Sequence, residues 1–130
     1  MNKKNLILLF GILILFSCKQ KNGIEYSFAE VQINKSDYYL TLPTGIKKNK
    51  VDNYTEGFYQ HFVYSDSSYV IILRGGNAGL ELPKSDNSEI HARKESIDGL
   101  KMVYGNVRTN RKEEFDKAFD LMKEKGLKKK

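Results

Sequence analysis

Apolar and polar positions alternate along most of this chain and switch to a helical period near its end. Ile24 to Phe28 alternates with the period of a half-buried strand, and Ala29 to Ile33 continues it past a register change. Asn34-Lys-Ser-Asp37 has the composition of a turn, and Tyr38 to Leu42 is rich in strand formers. Pro43-Thr-Gly45 ends that strand. Ile46 to Gly57 carries Lys47, Lys48 and Lys50 with few apolar residues, and it reads as a loop holding at most one helical turn.

The clearest strands are central. Phe58 to Tyr64 and Tyr69 to Leu73 are aromatic and β-branched, and the polar link Ser65-Asp-Ser-Ser68 marks them as a hairpin. In the first arm Phe58, Gln60, Phe62 and Tyr64 share one face, and Tyr59, His61 and Val63 the other. Val70 to Leu73 is apolar on both faces, as an interior strand is. Asp98-Gly99 is a turn signal between Ile90–Ile97 and Leu100–Val107, which predicts a second hairpin with Gly105 at a bulge.

Phe115, Ala118, Phe119 and Met122 then fall at i, i+3, i+4 and i+7, the stripe of an amphipathic helix. Asn110 with Glu113 three residues later forms a capping-box pattern, so the helix is predicted over residues 111–125. Glu113, Glu114 and Asp116 would lie near its positive end. Gly126 is placed to end it, with Leu127 touching Met122 across a Schellman turn. The sum is one α+β domain over residues 24–126. It has an antiparallel sheet of about five strands with the C-terminal helix packed on one face, followed by a basic tail at 127–130.

One apolar run fits no part of this domain. Lys3 and Lys4 precede eleven apolar residues, Leu6 to Phe16. A hydrocarbon core needs about 20 residues of helix. Eleven suit the core of a secretory signal, which follows a positive start and ends at small residues.

The end of the run, Leu15-Phe16-Ser17-Cys18, resembles the lipobox of bacterial lipoproteins. The resemblance implies that residues 1–17 are a cleaved signal peptide and that Cys18 becomes the lipidated first residue. Cys18 would carry a diacylglycerol and an amide-linked acyl chain such as palmitate. Ser17 and Leu15 match the pattern, and Phe16 is bulkier than the residue usual there. Cys18 is the only cysteine in the chain, and lipidation accounts for an odd cysteine in an exported protein. Two acyl chains already anchor a protein stably. The polar tether after Cys18 runs to Gly23 and spans at most about 17 Å. The expected location is the bacterial envelope, at the periplasmic face of the outer membrane. Within the domain, the order of a strand, Leu42-Pro43-Thr44-Gly45, a hairpin, further strands and a final helix is similar to small α/β sandwiches of the PsbP type. That likeness carries no functional residue.

The net charge of +6 changes meaning in this light. Lys3 and Lys4 leave with the signal, and Lys123 to Lys130 hold five lysines against Glu124. The body between is nearly neutral, so nucleic acid is not an expected partner.

Candidate chemistry is sparse. His61 and His91 stand thirty residues apart with no cysteine to join them, so no metal site is expected. Ser65, Ser67 and Ser68 beside Asp66 are turn residues rather than nucleophiles. Arg74-Gly-Gly-Asn-Ala-Gly79 lacks the lysine and following helix of a phosphate loop. No catalytic residue and no cofactor are expected. The residues with most latitude for a protein partner are Tyr38, Tyr59, His61 and Arg74, since an exposed tyrosine joins apolar area to a polar tip. The leading reading is a lipid-anchored, non-catalytic envelope lipoprotein that binds a protein partner near the membrane. The alternatives are an immunity-type lipoprotein that neutralises a periplasmic toxin, and an enzyme or ligand carrier whose site is assembled from distant residues.

Overall fold

The computed structural model describes residues 25–75 and 79–130. The expected signal peptide at 1–17, Cys18 and the expected tether at 19–23 lie outside the described residues. The fold is α+β, with two antiparallel sheets and one helix among the described residues. The strands are β1 (Phe28–Gln32), β2 (Tyr38–Pro43), β3 (Ile46–Tyr54), β4 (Gly57–Tyr64), β5 (Tyr69–Arg74), β6 (Ile90–Ile97), β7 (Leu100–Arg108) and β8 (Lys128–Lys129). The helix α1 (Thr109–Lys125) stands between β7 and β8. One sheet has the order β1-β2-β8, the other β3-β4-β5-β7-β6. Among the described residues no helix is long and apolar enough to cross a membrane.

The larger sheet buries one face. Phe58, Phe62, Tyr64, Val70, Ile72, Met102 and Tyr104 meet Ile33, Leu40 and Leu42 of the smaller sheet's hairpin. Phe115, Phe119 and Met122 of α1 complete the same core. The helix contacts β2, β6 and β7, so helix and small sheet lie side by side over the large sheet's inner face. Each large apolar side chain withdrawn here contributes about 2 kcal/mol. The second hairpin forms as predicted. Asp98 (φ 52°) and Gly99 (φ 77°) make the positive-φ pair of a type I′ turn.

Five local expectations are corrected. Residues 46–54, read as a loop, form β3. Its side chains are exposed apart from half-buried Ile46 and Val51, so no apolar period marks it. Its ladder to β4 holds it in place, with a bulge at Lys47. The first strand begins at Phe28, with residues 25–27 outside it and Ile24 outside the described residues, because pairing with β2 starts at Phe28↔Pro43. The helix begins at Thr109, directly from β7, with Arg108 at the cap position and no side-chain cap. Asn110 is therefore already helical, and the acidic residues fall beyond the first turn. At the far end Gly126 takes positive φ and its amide reaches Met122 O at 2.8 Å. The Leu127 amide turns away to the Asp98 carboxylate at 3.1 Å, so the Schellman pattern does not close. The basic residues of the tail stay exposed, yet Lys128 and Lys129 pair with β2 as β8. Lys128 and Lys130 both bind the Glu30 carboxylate. Those two ammonium groups pull its pKa down to about 2.

Among the described residues Gln60 is the one long polar side chain in the core, 1% exposed. Its Oε1 accepts from the Asn34 amide at 2.9 Å. Its Nε2 donates to Gln32 O at 3.3 Å and to Asn49 Oδ1 at 3.0 Å. One amide thus ties the β1–β2 turn to β3 and β4. Gln60→Leu keeps the volume and removes these bonds, stranding the Asn34 amide. Urea unfolding is expected to show a loss of about 2 kcal/mol.

Candidate functional site

Among the described residues no helix lies on the outer face of the large sheet. Register places Tyr59, His61 and Val63 of β4 beside Leu73, Ile71 and Tyr69 of β5. On β3 the outward neighbours are Asp52, Lys50 and Lys48. On β7 they are Lys101, Val103 and Gly105. Tyr59, His61 and Tyr69 form a row. The His61 ring is 6.2 Å from Tyr59 and 5.6 Å from Tyr69, both edge-on. All three are half-buried. A β-carbon on Gly105 would run into the Tyr69 ring, so the missing side chain lets Tyr69 lie flat across β7.

Residues 79–89, leading into β6, cross part of this face. Leu80 is buried against Leu73 and Val103. Beyond it, residues 82–85 and Asn87 line an open cleft of about 460 Å³ together with Tyr69, residues 90–92 and Asn106. Tyr69, Lys84, Ser85, Asn87, His91 and Asn106 supply its polar lining. The His91 ring nitrogen Nε2 pairs with the Thr109 hydroxyl at 2.8 Å. The Asn106 amide is held by donation to Ser67 O at 3.0 Å. Tyr69 belongs to both features, so the aromatic row runs into the cleft.

The strongest charge clusters lie elsewhere and clasp α1. Arg93 on β6 binds Glu95 at 3.0 Å, Asp116 at 3.3 Å and Asp120 at 2.7 Å. Tyr104 donates to Asp116 Oδ1 at 2.7 Å. Burial works to lower the Arg93 pKa, and the three carboxylates outweigh it and raise it. Arg111 binds Asp66 at 3.0 Å and Glu114 at 2.6 Å, with its guanidinium over the Tyr64 and Phe115 rings. The buried Ser68 hydroxyl donates to Asp66 Oδ1. These groups are fully engaged in holding helix to sheet. Among the described residues no group of three acidic, histidine or cysteine side chains stands where it could hold a metal ion.

The four residues singled out in the sequence do not come together. Tyr59 and His61 are neighbours on the outer face. Tyr38 is 40% exposed on the small sheet, with Lys129 over its ring. Arg74 ends β5 at an inward register position opposite Phe58, and its guanidinium reaches Asp98 O at 3.5 Å. Cys18 lies outside the described residues. Tyr69 and the cleft were not legible. The pairing of Tyr69 with Gly105 needs β5 beside β7, and chain order suggests β6 there.

Burial lowers the His61 pKa below its ordinary 6.5, and Lys50 adds to the effect. The fold therefore favours the neutral ring. The stability this provides is complete above pH 6.5 and falls as pH drops toward the lowered midpoint. Titration of the ring protons by NMR is expected to give a midpoint under 6.5. Lys50→Gln should raise it only part of the way, because burial is the larger cause. Comparison with protein-family models, curated proteins and solved structures finds no match for this chain.

Proposed function

We propose that this chain is a small lipoprotein of the bacterial envelope, anchored through Cys18 at the periplasmic face of the outer membrane. It acts without catalysis, by docking a protein partner on the outer face of its larger sheet. The lipobox-like Leu15-Phe16-Ser17-Cys18 supports the anchor. The observation that carries the docking role is the half-buried row Tyr59–His61–Tyr69 on the sheet face that no helix among the described residues covers. Aromatic rings of this kind bring contact area at low entropic cost and dominate the centres of interfaces.

Both parts are open to test. A fatty-acid analogue is expected to label the chain and hold it in the membrane fraction, and Cys18→Ala to abolish both. A partner retained from envelope extract by the wild-type chain should be lost with Tyr59→Ala and Tyr69→Ala, and kept with Tyr38→Ala. Labelling of the Cys18→Ala chain refutes the anchor, and retention by both outer-face variants refutes the docking face.

A further inference from the structure

We infer that the cleft lined by residues 82–85 and Asn87 receives a carboxylate-bearing segment of the partner protein, whose adjoining residues lie along Tyr59–His61–Tyr69. This rests on the docking role proposed above and adds the chemistry of the partner. Four observations lead to it.

The cleft, at about 460 Å³, exceeds the volume of one side chain and suits a short extended segment. Its polar lining is an ammonium, an imidazole, two amides, a phenol and the Ser85 hydroxyl, with no aspartate or glutamate. Glu81, Asp86 and Glu89 belong to the same stretch of chain and do not line it. The surrounding strands repeat the sign. Lys48 and Lys50 flank the row on β3, and Lys101 and Lys94 lie on the far side at outward register positions. Asp52 is the one carboxylate at an outward position of these five strands, 3.9 Å from the Lys50 ammonium. Basic rims of this kind steer an acidic partner and fix its register.

An anionic membrane surface is the other occupant that lysines suggest, and the apolar groups argue against it. Seating in headgroups needs apolar side chains that project. Here Tyr59, His61, Val63, Tyr69 and Ile71 are all half-buried in the sheet; Leu82 projects, 47% exposed, and Tyr54 at the end of β3 is 43% exposed with its hydroxyl tied back to Phe58 O at 3.3 Å. A flat, recessed row fits an extended polypeptide.

The test uses the full lipidated chain in neutral phosphatidylcholine vesicles and a fluorescent glutamate–tyrosine copolymer as probe. Fluorescence anisotropy is expected to show binding that weakens with salt. Lys84→Glu, and Lys48→Glu with Lys50→Glu, should each weaken it about tenfold, roughly what two exposed ion pairs supply. Lys117→Glu with Lys125→Glu makes the charge change of the Lys48, Lys50 double reversal on the helix and should alter binding less than about twofold. Equal loss in that control, or no copolymer binding, overturns the inference. So does binding to phosphatidylglycerol vesicles that the same lysine reversals abolish while copolymer binding persists. A photo-crosslinker at Val63 in the intact envelope separates the two levels. An adduct that Lys84→Glu leaves unchanged keeps the docking face and removes the carboxylate. Absence of an adduct together with absence of copolymer binding removes both.

Discussion

Phe115, Phe119 and Met122 must be kept out of water, and the inner face of the five-stranded sheet is where that burial happens. The helix alone does not cover the face. Leu40 and Leu42 of β2 fill the remainder, so the two sheets share one core instead of forming two. Everything else follows from that shared cover. Because β7 runs into α1 without a loop, the helix cannot shift without moving the sheet's interior. Because β8 follows α1 by only two residues, the small sheet is closed by the chain that leaves the helix.

The polar groups within and around the core specify more than they stabilise. Arg93 and Arg111 each gather carboxylates from separate elements, which fixes the rotation of α1 on the sheet. Partly buried ion pairs of this sort are uncertain sources of net stability, because desolvation offsets attraction. Their geometric demands are strict, as are those of Gln60, whose bonds reach three separate segments. A core of aromatics and aliphatics alone would tolerate sliding of helix over sheet.

The sequence made legible what burial enforces. The β4 alternation, the Asp98-Gly99 turn and the stripe from Phe115 to Met122 were readable because each repeats an apolar period or needs a particular backbone. β3 was unreadable because its ladder, not its side chains, holds it. The cap was misplaced because β7 supplies the helix start directly, and Thr109 N finds Glu89 O at 3.0 Å. On the candidate surface, Tyr59 and His61 could be put on one face from chain parity alone. The third member, Tyr69, needed the non-adjacent pairing that brings Gly105 under its ring.

The lysines of β3 have one more effect. Edge strands carry unpaired amides and carbonyls that invite a second chain to extend the sheet. Two of the four edges, β3 and β8, are lined with lysine. Copies crowded onto one surface meet edge-on far more often than copies free in solution. On such a crowded surface, like-charged margins would keep neighbours from fusing their sheets, so side chains that the proposed docking role assigns to a partner would also hold copies of this chain apart.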